Sequence, residues 1–290
     1  MDSKYDNTAP AVHSGERWLA SLDVEFDDGP RLGKTRLKDV RHFGPLRVQR
    51  PFYPEPDGTC HVYLLHPPGG LVGGDSLEVR VSNRGGARSL LTTPGATKCY
   101  RCDGQTVSVS QTIVVDEDAS CEWLPQETIL FDGANLCQRT RFEVAKTGSL
   151  VAWDTLVLGR WAAGEGFTRG RWQQRLELYR DGLPLVCERT DLRPNRAEIS
   201  ESWGLSGAPV LSTLYFVNDD TKLHEDLLRD VRDAGLEGAR FAGTHWDSIS
   251  VYRYIGPSPE EARTLTETVW TMYRNHLGRT EGHRPRIWQT

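Results

Sequence analysis

The sequence lacks any apolar run approaching the roughly 18 residues that a membrane span needs. Its first segment, 1–15, is polar, with Asp2, Lys4 and Asp6, and has none of the apolar stretch of about 7–15 residues that a secretory signal carries. The expectation is a cytoplasmic protein with a flexible segment 1–15 and no membrane partner. Basic tracts are missing as well: Lys and Arg are spread among acids, the formal net charge is −5 and the pI is near 5.9, which argues against a nucleic-acid partner. Cysteine is scarce. Six thiols, at positions 60, 99, 102, 121, 137 and 187, are too thinly spread for a disulfide scaffold, so reduced thiols are expected. Fixed-length repeats of the propeller or leucine-rich kind are absent, a test that a β-helix with irregular rungs would escape.

What is present is a turn-rich globular composition, with 38% hydrophobic residues, 28 Gly and 16 Pro. From Arg17 to about Leu192 apolar residues alternate with a period of two, as in Leu77, Val79 and Val81, in Val107 and Val109, and in Phe142 and Val144; alternation of this kind puts one face of a strand into a core. Asp57-Gly58, Gly85-Gly86, Asp103-Gly104, Asp132-Gly133 and Asp181-Gly182 punctuate the runs with turn chemistry, favouring a β-rich architecture over βαβ units. The C-terminal third differs. After a strand at Pro209 to Val217, a helix is predicted from about Thr221 to Ala234, with Leu223, Leu227, Leu228 and Val231 on one face, Asp219 or Asp220 as cap and Gly235 as stop. A second helix begins at Ser258-Pro259-Glu260-Glu261, a capping-box signature, and carries Ala262, Leu265, Val269 and Met272 or Tyr273 as its stripe. Residues 16–290 are expected to form a single domain, with the helical part from about 209.

Several residues have chemistry to offer. In His66-Pro67-Pro68-Gly69-Gly70-Leu71-Val72-Gly73-Gly74-Asp75, prolines fix φ and glycines allow close backbone approach, without the Lys-Ser or Lys-Thr of a phosphate loop. The loop can hold His66 and Asp75 together as a transient divalent-metal site, or it is structural and both side chains satisfy backbone groups. Glu122, Glu127 and Asp132 are candidates for lining a passage, where carboxylates attract a cation more strongly than in water. Glu122 and Gln126 share a face only if the strand survives Pro125. Paired carboxylates also serve as acid and base in glycoside-cleaving β-helical enzymes, so a hydrolase acting on carbohydrate or ester is the alternative reading. Cys99 and Cys102 have the CxxC spacing of redox pairs and half zinc sites, though no second CxxC completes a zinc set; soft-metal capture and plain packing are both open. His61, His224, His245, His276 and His283 have no spacing that places two ligands on one helical turn. The nine tryptophans are mostly core candidates; Arg160, Trp161, Phe167 and Trp172 form a candidate partner surface, with core filling as the alternative.

Four motifs carry a resemblance. They are His66 to Asp75; Thr92-Thr93-Pro94-Gly95-Ala96-Thr97-Lys98 with Tyr100-Arg101; Glu122 to Ala134; and Trp153-Asp154 followed by Leu158-Gly159-Arg160 and Gly164-Glu165. In this order they resemble the UreD family of urease accessory proteins, called UreH in some systems, over roughly residues 60 to 170, with weaker similarity from Arg17 to about Leu192. The resemblance implies a mainly β, β-helical fold with a few helices and no enzymatic activity. It further implies a complex with UreF, recruitment of the nickel-carrying GTPase UreG, docking on urease apoprotein, and relay of nickel as cargo.

Overall fold

Period-two alternation becomes stacked strands. The computed structural model describes residues 18–29, 33–218, 220–238, 240–279 and 284–289; the segment 1–15 and His283 lie outside them. In chain order the strands are β1 (Leu19–Gly29), β2 (Lys34–Phe43), β3 (Arg47–Val48), β4 (Cys60–Leu65), β5 (Ser76–Asn83), β6 (Arg88–Thr92), β7 (Thr97–Cys99), β8 (Val107–Val115), β9 (Ser120–Leu124), β10 (Thr128–Leu130), β11 (Asn135–Val144), β12 (Ser149–Leu158), β13 (Arg171–Arg180), β14 (Leu183–Leu192), β15 (Val210–Val217), β16 (Phe241–Trp246) and β17 (Ile249–Gly256). Helices are α1 (Ala197–Ser200), α2 (Thr221–Asp233) and α3 (Pro259–His276).

The first sheet has the order β14-β13-β11-β8-β5-β1-β2, parallel from β1 to β13 and antiparallel at both edges. The second runs β16-β17-β15-β12-β9-β6-β4-β3, with β4, β6, β9 and β12 parallel, while the short β7 and β10 pair beside it. Winding from one sheet to the other and back makes a β-solenoid, the β-helical architecture that the family resemblance implies. Its rungs stack like on like: Val24, Val81, Ile113, Phe142 and Leu178 lie in register and are buried. The equally registered Leu77, Val109, Gln138 and Gln174 are unequally spaced along the chain, which is why no repeat is visible in the sequence. At Asp181-Gly182, φ of 48° and 76° gives the two-residue turn whose twist suits the β13–β14 hairpin.

Alternation gives the second sheet two covered faces. Leu150, Ala152 and Leu156 face the solenoid interior, whereas Val151, Trp153 and Val157 face outward onto a second core with α2 and α3. Both helices begin as their caps dictate: Asp220 Oδ1 accepts from Leu223 N at 3.1 Å, and Ser258 Oγ accepts from Glu261 N at 3.1 Å. The capping box of α3 closes through a third residue. Tyr254 Oη accepts from Ser258 N and donates to Glu261 Oε2, so the glutamate reaches the cap through a phenol.

A buried ion cluster pins α3 to the solenoid. Arg274, 0% exposed, reaches Glu55 with one guanidinium nitrogen and Glu122 Oε2 at 3.2 Å with another. Trp270 Nε1 donates to the same Glu122 oxygen at 2.6 Å, and Arg279 takes the other at 3.1 Å. His61 Nε2 lies 2.6 Å from Glu55 Oε1. Burial would raise the Glu55 carboxyl; the His61 hydrogen bond and the Arg274 charge outweigh it and hold the group below the ordinary carboxylate range.

Candidate functional site

A solenoid whose strands alternate cleanly should enclose mostly apolar side chains, and in the first rungs the polar exceptions Asn83 and Ser89 are buried and hydrogen-bonded to each other. On β8, β11 and β13 the inward positions turn polar: Gln111 follows Val109, Gln138 and Thr140 stand between Leu136 and Phe142, and Gln174 stands between Trp172 and Leu176. Opposite them, inward from β12, is Asp154. Gln111, Gln138, Thr140 and Asp154 line a cavity of about 380 Å³ between the sheets, which opens past His66, Gly69, Gly70, Thr97 and Lys98; Gln174 stands behind Asp154.

Asp154 is half-buried, at the cavity wall. Gln138 Nε2 donates to its Oδ2 at 3.2 Å and Gln174 Nε2 donates to the same atom. Burial raises the carboxyl above its ordinary value, an effect that the two amide hydrogen bonds only partly offset, and no cation pairs with it among the described residues. Thr140 Oγ1 and Gln111 Oε1 form their own hydrogen bond at 3.1 Å. The arrangement is a lone acid among neutral oxygen and amide groups in a low-polarity interior.

The mouth is built by two of the sequence motifs. His66 is half-buried, its imidazole lowered by burial and partly restored by Asp75, and its Nε2 has no hydrogen-bond partner among the described residues. Leu71 N donates to Lys98 O at 2.7 Å and Tyr100 N to Leu71 O at 2.9 Å, so the glycine-rich loop lies against β7 and the turn after it. Glycine is required for that approach: a Cβ on Gly70 would stand 2.3 Å from the Tyr100 ring, and one on Gly73 2.6 Å from the Cys102 carbonyl oxygen.

The residues singled out from the sequence separate into groups. His66, Asp75, Cys99 and Cys102 come together around the mouth loop, where Asp75 accepts from Trp18 N at 3.0 Å and Val72 N at 2.9 Å and so acts as a loop staple. Glu122 and Glu127 instead face α3: β9 stops before Pro125, Glu122 joins the buried ion cluster, and Glu127 Oε2 accepts from Arg263 at 2.8 Å. Asp132 lies at an outer turn, where it accepts from Thr168 and Arg169; burial opposes ionisation there, but these donors outweigh it and lower the carboxyl far below the usual range. Among the described residues no three His, Cys, Asp or Glu side chains are grouped to hold a metal ion. Trp161 is 57% exposed beside the exposed Arg160, which pairs with Glu165 and covers the Phe131 ring at 4.5 Å. Phe167 is half-buried against the interior core, and Trp172, 1% exposed, lies within that core and offers no surface. His224 is buried and stacks on His245 at 4.7 Å, while His276 reaches Asp230 across the α2–α3 contact.

Asp154 stands out in the sequence only within the Trp153-Asp154 motif, not as a site residue, and its glutamines do not stand out at all. The available signal was polar residues at the apolar parity of otherwise regular strands. No described helix is long and apolar enough to cross a membrane.

The family model described as UreD urease accessory protein matches residues 19–289. Similar curated proteins are named urease accessory protein UreD. That of Saccharophagus degradans is 42% identical over 289 residues, covering 98% of this chain and 97% of its own. The Marinobacter nauticus protein is 43% identical over 282 residues, with 94% and 93% covered, and the Klebsiella aerogenes protein 40% over 276 residues, with 94% and 97% covered.

Proposed function

This chain belongs to the UreD family of urease accessory proteins, and from that premise we propose that it is a non-enzymatic scaffold of urease maturation. In this reading it binds UreF and the GTPase UreG in the cytoplasm and relays nickel, as cargo, to urease apoprotein. The observation that supports the relay is the group of Gln111, Gln138 and Thr140 that lines the cavity with Asp154, to which Gln138 and Gln174 donate, inside a mostly apolar solenoid. A carboxylate in a poorly polar interior attracts a divalent cation more strongly than one in water. One acid with neutral oxygen donors holds the ion weakly enough to release it, as a relay must. His66 offers an unpartnered imidazole nitrogen at the mouth, and imidazole and carboxylate both suit nickel. Asp75, Glu122, Glu127 and Asp132 then serve the relay by holding the walls that shape it, each through the partners described above. The exposed Arg160–Trp161 corner is the candidate partner face, since Trp and Arg are favoured anchors.

The test is urease activation in cells carrying the urease cluster with this gene deleted, with nickel measured on the purified urease. The gene should restore nickel content and activity, while Asp154→Asn restores neither fully despite normal protein level and UreF capture. Full nickel loading without the gene would remove the delivery role; an Asp154→Asn variant equal to the parent would remove the interior route and leave delivery standing.

A further inference from the structure

The relay as proposed above does not use Cys99 and Cys102, yet their thiols hydrogen-bond one another. Cys99 ends β7 fully buried, and Cys102, 4% exposed, follows the intervening Tyr100-Arg101. Both thiols reach the Tyr100 carbonyl, Cys102 Sγ at 3.1 Å and Cys99 Sγ at 4.0 Å, and they hydrogen-bond one another. The turn that brings them together is fixed from three sides: Phe131 N donates to Cys99 O at 2.9 Å, Cys102 N to Gly133 O at 3.0 Å, and Tyr100 N to Leu71 O at 2.9 Å. Only that turn separates the pair from water, because Arg101 and residues 103–106 are exposed.

We propose that Cys99 and Cys102 are a redox-active dithiol that a peroxide closes to a disulfide. The Cys102 thiolate attacks one oxygen of hydrogen peroxide. The O–O bond breaks, Cys102 becomes a sulfenic acid, and the departing hydroxide takes up the proton that the thiol released. Cys99 sulfur then attacks Cys102 sulfur, the S–O bond breaks, and the Cys99 proton leaves with the hydroxide as water. Two thiols and one peroxide give one disulfide and two waters; the sulfurs are oxidised by two electrons and the peroxide oxygens reduced by the same two.

The order of attack follows from who donates to whom. A hydrogen bond from Cys99 stabilises the Cys102 thiolate and draws that group down, whereas the same contact, with burial, pushes Cys99 far up. Cys102 is therefore the attacking and Cys99 the resolving sulfur. Cys60 and Cys121 are pushed up to about 11 and about 12 by burial and stay inert. Cys187 is exposed and Cys137 half-buried, so they report what accessibility alone would do.

The experiment uses the full chain, treated with equimolar hydrogen peroxide, blocked with an alkylating agent and mapped by mass spectrometry after trypsin. Cleavage after Lys98 and Arg101 separates the two cysteines, so the disulfide appears as a linked peptide pair lighter by two hydrogens that dithiothreitol abolishes, and fragmentation of the 102–139 peptide, which also holds Cys121 and Cys137, places the link on Cys102. With Cys99→Ser, dimedone should tag Cys102; with Cys102→Ser, Cys99 should stay reduced. The proposal is overturned if Cys187 oxidises while Cys99 and Cys102 are both alkylated, or if Cys99 reacts as fast in Cys102→Ser as Cys102 does in the parent. The map of the parent protein decides even if a variant fails to fold.

Discussion

Arg274→Met is the perturbation that tests whether Glu122 is a structural anchor for α3. Arg274 is wholly buried between Glu55 and Glu122, and its guanidinium also lies 4.9 Å from the centre of the Trp270 ring. Removing one partner of a buried ion pair costs about 3–5 kcal/mol, because the remaining charges lie in a medium that solvates them poorly. Partial compensation remains, since Glu122 keeps Trp270 and Arg279 and Glu55 keeps His61, but Met replaces only the volume of the arginine stem. The loss should fall within that range, which in a chain of 290 residues corresponds to a midpoint lower by roughly 5–8 °C. Urea unfolding followed by tryptophan fluorescence measures it, with the slope against urea unchanged if only stability has altered. Adding Glu55→Gln should then recover part of the loss, because a neutral amide needs no counter-charge. A cost under about 1 kcal/mol, the range of solvent-exposed pairs, would refute the reasoning, because these charges would then be hydrated. Glu122→Ala should likewise destabilise the fold, so any loss of urease activation in that variant has to be read beside its unfolding curve.

Asp154→Asn should keep or raise stability at neutral pH while impairing nickel loading. Its carboxyl is raised above 3.8, so the parent's stability falls as pH rises from that value through the higher folded pKa, and the difference between variant and parent in urea unfolding should grow over the same window. His224 is buried and lowered below 6.5 by desolvation, with Ser250 Oγ and the Asn218 carbonyl on its nitrogens, His245 stacked on its ring and Asp220 nearby. Its neutral form contributes stability that is complete above about 6.5 and is lost as pH falls from there toward the folded value; His224→Gln should flatten that part of the stability profile. Ser258→Ala should cost about 0.5–2 kcal/mol in the same unfolding assay, since it strips the cap from the first turn of α3.

Much of this fold was legible because alternation is a local signal. Leu77, Val79 and Val81 declare an inward face without knowledge of what lies opposite, and Asp220, Ser258 and Pro259 announce helix starts within a few residues. The stacking was not legible, because register between rungs depends on loop lengths that vary: nothing in the sequence sets Gln138 above Val109 or Gln174 above Gln138. The ion cluster was hidden for the same reason. Glu55, Glu122 and Arg274 meet only after the chain has wound through the solenoid and α3 has come back over the second sheet. In the glycine-rich loop the structural alternative holds for Asp75, which is spent on the Trp18 and Val72 amides, while the partners themselves lie too far along the chain, at Trp18, to be read locally.

The two acids that matter most differ by parity. Glu122 pairs in register with Val151, an outward position of the second sheet, and therefore meets α3 with its three donors. Asp154 lies farther along β12 at the opposite parity, with Ala152 and Leu156, and so points into the cavity where only amides meet it. A strand shifted by one residue would exchange these roles, placing the well-paired acid inside and the unpaired one against the helix. Composition makes the two carboxylates equivalent, and motif matching selects Glu122 as readily as Asp154. Their environments divide them into a group whose charge is fully compensated and one whose charge is left to attract something else, and it is the second kind that a transient cation requires.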